Sequence, residues 1–308
     1  MNKFDFYLNS AAQGKRVHTV VWEPDDDPRA VLQLVHGMAE YIERYDEFAR
    51  YLAARDIAVI GHDHLGHGQT AQSEAELGFF AEGDASEIVI RDMKTVTLEA
   101  KRRWPGVPVF ILGHSMGSFF TRRYLAVCGG EVTGAVIMGT GFIPAPVAKL
   151  ANSLSRKVCR FKGERHPSPL LEKLILGKSA KRFPTEGRLG WLSANRENVK
   201  RYEADPLCGF TFTAGAYRDF TKILVSVAKE EDFDGIRRSL PILVISGELD
   251  PVGGKDAVGK LASAYRRLEF TDVTEKIFPG DRHEILNEND REAVYAYIAA
   301  WLGEKMPG

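Results

Sequence analysis

Short, almost wholly apolar runs alternate along the chain with longer amphipathic stretches, and that rhythm predicts its elements. Residues 3–8 (KFDFYL) alternate in polarity and residues 18–23 (HTVVWE) are β-branched and aromatic; across the polar linker NSAAQGK they predict an antiparallel opening pair. The runs 30–35 (AVLQLV), 56–61 (DIAVIG), 109–112 (VFIL), 132–138 (VTGAVIM), 241–246 (PILVIS) and 273–278 (VTEKIF) predict further strands. Most of these are too continuously apolar for a sheet with one wet face, so they read as parallel strands buried on both sides. Between them apolar residues recur at helical spacing: Tyr45, Phe48, Ala49 and Leu52; Ile88, Met93, Val96, Leu98 and Ala100 within 88–104; Phe119, Phe120, Tyr124 and Leu125; then 257–267 and 292–302. Strands alternating with helices predict an α/β fold with a mostly parallel, doubly wound sheet flanked by helices.

From Phe142 onward the rhythm changes. Residues 142–235 show helical pieces at 147–160, 170–176, 192–202 and 215–229 and no convincing strand. The expected division is a core of 1–141 and 236–308 with a helical cap, 142–235, inserted into it. The cap is basic at its start: residues 141–204 hold 14 Lys plus Arg against 5 Asp plus Glu, a net of 14 − 5 = +9. Such a surface is either a solvated helical face or a transient contact for an anionic membrane surface or phosphate head group, with Lys157, Arg160 and Lys162 in its middle. Its apolar residues, among them Leu150, Leu154, Phe161 and Leu170, either line a pocket or form the cap's own core.

Composition narrows the class. With 44% hydrophobic residues, 27% charged and a formal net charge of −1 over 308 residues, the chain reads as a soluble globular protein with no electrostatic case for nucleic acid. Three scattered cysteines, Cys128, Cys159 and Cys208, fit reduced thiols in a cytoplasmic protein better than a disulfide framework or zinc site. The N-terminus lacks the apolar core of a signal peptide. Residues 104–121 and 132–148 are uncharged, but Pro and Gly interrupt both, as expected of buried strands entering turns rather than of membrane spans. Oligomeric state is left open.

The candidate chemistry centres on Gly113-His114-Ser115-Met116-Gly117, between a strand and a helix. A serine at the apex of such a glycine-bracketed turn is presented as a nucleophile. It needs a base, and the base an orienting acid, each on a loop after a later strand. The strand PILVIS ends in Gly247-Glu248-Leu249-Asp250, and VTEKIF ends in Pro279-Gly280-Asp281-Arg282-His283. Asp250, further into its loop than Glu248, is the expected acid; His283, the one histidine after it, is the expected base. Acyl chemistry also needs donors for a developing oxyanion, and the expected pair is the backbone N–H groups of Met116 and of Met38 in HGMAE.

Taken together these motifs resemble the monoacylglycerol lipase and lysophospholipase branch of the α/β-hydrolases, grouped with the serine aminopeptidase-like hydrolases. The matching residues are His36-Gly37 with Glu40 and Arg44-Tyr45, Asp63 to Gln69 (DHLGHGQ), Gly113 to Gly117, Gly247 to Val252 and His283-Glu284. The resemblance implies an α/β-hydrolase fold, Ser115 as nucleophile, Asp250 as acid, His283 as base, Met38 and Met116 as oxyanion amides, and no cofactor. It further implies a lipid-like ester substrate such as a monoacylglycerol or lysophospholipid. Ala39 departs from the pattern, which often has glycine there. Small-ester carboxylesterase, peptidase and thioesterase activities use the same triad. His62, His64 and His67 (HxHxxH) admit a zinc-hydrolase reading, although Gly66 stands where that motif has an acid. A non-catalytic binder on the same scaffold is the remaining alternative.

Overall fold

The computed structural model describes residues 1–177, 179–229 and 233–306. One eight-stranded sheet organises it. The strands are β1 (Asn2–Asn9), β2 (Arg16–Glu23), β3 (Ala30–Val35), β4 (Ile57–His62), β5 (Val109–His114), β6 (Gly134–Met138), β7 (Ile242–Gly247) and β8 (Val273–Phe278), in the order β1-β2-β4-β3-β5-β6-β7-β8. β1 pairs antiparallel with β2, as the alternating pattern predicts, and β2 pairs antiparallel with β4; every other pairing is parallel.

Every residue of β3, β4, β5, β6 and β7 is buried, which is why these strands read as continuous apolar runs. The two-residue side-chain period divides each run between two cores. Val31, Val35 and Ile111 pack under α2 (Ser86–Arg103), α3 (Met116–Cys128) and α8 (Gly254–Arg267). Leu32, Leu34, Phe110 and Leu112 face α1 (Asp46–Ala53) and α9 (Arg291–Lys305), where they meet Phe48, Leu52, Tyr295 and Trp301. The doubly wound α/β expectation holds.

Between β6 and β7 the chain makes α4 (Ala145–Lys162), α5 (Pro169–Leu176), α6 (Arg196–Ala204) and α7 (Ala214–Ser226), and among the described residues only an isolated bridge, Pro167 to Thr213, has strand pairing. Phe220 of α7 seats this insertion on the core, 5.9 and 6.2 Å from the rings of Phe119 and Phe120. Some element ends differ from the sequence pattern for local reasons. α6 starts four residues later than expected because the Asn195 side chain caps it, accepting from the amides of Glu197 and Asn198. β4 starts one residue later because Asp56 adopts φ 59°. α7 ends at Ser226, short of 229.

Candidate active site

Four loops leave the carboxyl ends of β3, β5, β7 and β8 on one side of the sheet, where open α/β sheets collect their sites. The loop after β5 is a single residue: Ser115, at φ 51° and ψ −119°, joins strand to helix. This strained conformation is held because nothing bulkier than glycine fits on either side. A Cβ at Gly113 would strike the carbonyl oxygen of Gly117 and the hydroxyl of Thr121, and one at Gly117 would strike the carbonyl oxygens of Val35 and His36.

His283 lies across from the serine, with Nε2 2.8 Å from Ser115 Oγ and Nδ1 3.0 Å from Asp250 Oδ1. Asp250 is itself fully engaged. Its Oδ1 also accepts the Val252 amide at 2.8 Å, and its Oδ2 accepts the Ser246 hydroxyl at 2.7 Å. Burial pushes the Asp250 carboxyl up, but His283 and these donors outweigh it and hold the group below the usual carboxylate range. The three residues named from the sequence are therefore joined in one hydrogen-bonded series, and Glu248 stays outside it. Such a series can pass a serine proton to imidazole while a fixed carboxylate orients the ring.

Met116 opens α3, so its N–H has no partner inside the helix. Among the described residues the Met38 amide has no hydrogen-bond partner either. Met38 and Ser115 line one cavity of about 470 Å³, walled on the insertion side by Trp191, Leu192, Phe210 and Tyr217. The Trp191 ring lies 5.0 Å from that of His283.

Behind these loops lies a buried ionic network. Arg44 donates through Nη1 to Glu40 at 2.8 Å and grips Glu284 with both nitrogens, each bond 2.8 Å. Glu40 Oε1 also accepts the Gly37 amide at 2.6 Å, the Tyr45 hydroxyl at 2.9 Å and His114 Nδ1 at 3.1 Å. The other His114 nitrogen faces the carbonyl of His283 at 3.2 Å. With acceptors at both nitrogens, and Glu40 outweighing the burial that works against it, His114 is raised above its usual range. The network ties the loop after β3 to the loop carrying His283.

The HxHxxH histidines meet edge to face, His62 against His64 at 87° and His64 against His67 at 82°. His62 and His64 have ring centres 4.8 Å apart, and among the described residues no group of three or more His, Cys, Asp or Glu is placed to hold a metal ion. His67 has a different task. Its Nδ1 is 3.0 Å from the Leu65 carbonyl and so carries the proton, which leaves Nε2 to accept the Ala39 amide at 3.4 Å. Burial, pushing its pKa down to about 3, keeps the ring neutral for that role.

The serine aminopeptidase, S33 family (Hydrolase_4) matches residues 26–290. The chain belongs to that family. This S33 hydrolase is 30% identical to a monoacylglycerol lipase of Mycolicibacterium smegmatis, over 94% of this chain and 93% of that one. It is 27% identical to human monoglyceride lipase, over 96% and 89% of the two chains. A carboxyl esterase of Bacillus coagulans, solved with glycerol, superposes along the full length of both chains with a TM-score of 0.90 at 26% identity. The protein is thus a serine hydrolase of α/β-hydrolase fold, as its motifs imply.

Several residues that complete the site of this S33 hydrolase carry no sequence signal. Ser246 is one. Glu288 is another: its carboxylate accepts the Ser193 hydroxyl and the amides of Ala194, Asn195 and Arg282, pinning the insertion to the loop of His283. Tyr202 is a third, donating its hydroxyl to the Ala39 carbonyl at 2.9 Å. The contacts of Glu288 with Ser193 and of Tyr202 with Ala39 span too long a stretch of chain for local pattern to reveal, and Ser246, four residues before Asp250, belongs to no motif that marks it.

Proposed function

We propose that the protein hydrolyses lipid-like carboxylic esters, monoacylglycerols or lysophospholipids, through an acyl-enzyme on Ser115. As the Ser115 hydroxyl attacks the ester carbonyl, His283 Nε2 takes its proton, while Asp250 holds Nδ1–H and stabilises the imidazolium. The tetrahedral oxyanion accepts the amides of Met38 and Met116. The alcohol leaves with the proton returned by His283; water deprotonated by the same nitrogen then releases the fatty acid and frees Ser115. Every step is supplied by side chains and amides of this chain.

The observation that carries this reading is the Ser115–His283–Asp250 series opening into a cavity that the insertion walls with Leu176, Leu189, Trp191, Leu192 and Phe210, with Glu172, Lys173, Lys181 and Arg188 also on its lining. In this reading residues 142–235 are the cap and 1–141 with 236–308 the hydrolase core. The cap also supports a membrane contact. Val147, Leu150 and Phe161 of α4 are 54%, 71% and 80% exposed beside Arg156, Lys157, Arg160 and Lys162, the composition of a helix that lies on an anionic lipid surface. No helix among the described residues is long and apolar enough to cross a membrane. Three unpaired cysteines accord with a cytoplasmic location.

Hydrolysis of p-nitrophenyl esters of graded chain length by wild type and Ser115→Ala tests the proposal. The expected result is an optimum at medium or long acyl chains, turnover of monoacylglycerols, and loss of both in the variant. An optimum at acetate or butyrate would make the protein a small-ester carboxylesterase. Failure to react with a fluorophosphonate would remove the serine mechanism.

A further inference from the structure

Ala39 sits at φ 52°, a left-handed conformation that costs a residue with a side chain the equivalent of roughly tenfold in a backbone equilibrium. The residue follows Met38 directly, so a Met38–Ala39 peptide held in place limits φ and ψ of Met38 and, through them, the direction of the N–H in the Gly37–Met38 peptide. Both ends of Ala39 are held. Its N–H goes to His67 Nε2 at 3.4 Å from the core, and its carbonyl accepts two bonds from the insertion, the Gly209 amide at 2.9 Å and the Tyr202 hydroxyl at 2.9 Å. Tyr202 is in turn fixed by Arg44, whose guanidinium lies 4.8 Å from its ring centre, and packs with Trp191, Leu192 and Cys208 in a small cluster of the insertion.

We infer that Tyr202 is a positioning residue: through its hydroxyl the insertion holds Ala39 in the left-handed conformation and thereby aims the Met38 amide at the oxyanion. The inference rests on the proposed role of Met38. With a glycine at 39 the conformation would need no external support; with alanine the loop relaxes toward negative φ unless something restrains it, and the restraint comes from residues 163 and 170 positions further along the chain. The sequence departure at 39 and the tyrosine hydroxyl are two halves of one device.

A double-mutant cycle on kcat and KM tests this, using Tyr202→Phe, Ala39→Gly and the pair with a medium-chain p-nitrophenyl ester. Tyr202→Phe is expected to lower kcat about tenfold with KM nearly unchanged, because the transition-state oxyanion loses an aligned donor while ground-state binding does not. In the Ala39→Gly background the same change is expected to cost about twofold or less, since glycine has no strain to release. Thermal midpoints check that the variants are folded; Tyr202→Met, which also lacks the hydroxyl, takes the place of Tyr202→Phe should that variant not fold. Equal losses in the two backgrounds would overturn the inference. So would a rise in KM at constant kcat, because Tyr202 also lines the cavity and would then act on substrate directly. Ser115→Ala run alongside separates the two claims: a cycle without coupling, with Ser115→Ala inactive, removes only the role of Tyr202, whereas an active Ser115→Ala removes the serine mechanism and the inference with it.

Discussion

Arg44 lies 91% buried between two carboxylates that are themselves almost inaccessible, and its removal gives a sharp energetic test. In Arg44→Leu, Glu40 keeps the Gly37 amide, the Tyr45 hydroxyl and His114, but Glu284 keeps only side-chain amides, from Asn198 at 2.7 Å and Asn287 at 3.3 Å. Breaking a buried ion pair from one side costs about 3–5 kcal/mol. The carboxyl of Glu284, at present held low because Arg44 outweighs burial, would then be raised. A carboxyl with a raised folded-state pKa stays protonated in the native chain while the unfolded chain has released its proton. Stability of the variant should therefore fall as pH rises, by up to about 1.4 kcal/mol per pH unit, until the new pKa is passed. Guanidinium unfolding of wild type and variant from pH ~5.5 to ~8.5 reads both the loss and the slope. Adding Glu284→Gln should flatten the slope and recover about 2 kcal/mol at the alkaline end. A loss under about 1 kcal/mol with parallel pH dependences would refute the argument, because Arg44 would then be no more than a surface-strength partner.

Three further outcomes are expected. Ser246→Ala removes a donor that keeps Asp250 ionised, so the acid limb of the kcat/KM–pH profile should move to higher pH while the alkaline limb stays in place. His62 is fully buried, with its pKa pushed down to about 3, so the unfolded chain takes up a proton near pH 6.5 that the folded one refuses. Stability is unaffected above that pH and falls below it, and His62→Leu should lose about 2 kcal/mol less than wild type between neutrality and pH ~5 in the same unfolding assay. Leu150→Ser with Phe161→Ser should weaken sedimentation with anionic vesicles while leaving hydrolysis of a soluble short ester unchanged; unaltered sedimentation would count against α4 as the membrane-facing element.

Much of this architecture was legible because strand burial writes itself locally. AVLQLV, DIAVIG and PILVIS are predominantly apolar because β3, β4 and β7 are covered on both faces, and GHSMG is recognisable because the elbow tolerates no Cβ at Gly113 or Gly117. The placement of Asp250 and His283 in the loops after β7 and β8 followed from chain order. What stayed hidden depends on contacts between distant segments. Nothing near Glu288 shows that it caps 193–195, and nothing near Tyr202 shows that its hydroxyl reaches Ala39. The start of α6 was misplaced for the same reason: the Ser193 hydroxyl and the amides of Ala194 and Asn195, helical by pattern, go to Glu288, and the Asn195 side chain caps the helix that follows. The departure at Ala39 was visible in the sequence, but its left-handed backbone was not.

The Arg44 network also has a temporal side. As the chain emerges from the ribosome, the sheet through β6 can present Ser115 in its elbow while Arg44 and Glu40 still wait for Glu284, 240 residues beyond Arg44. His283, the carboxylate that steadies Arg44, and the Glu288 anchor all arrive within residues 283–288, just before α9. Chains that end before residue 283 should therefore be hydrolytically silent even when much of the sheet has formed.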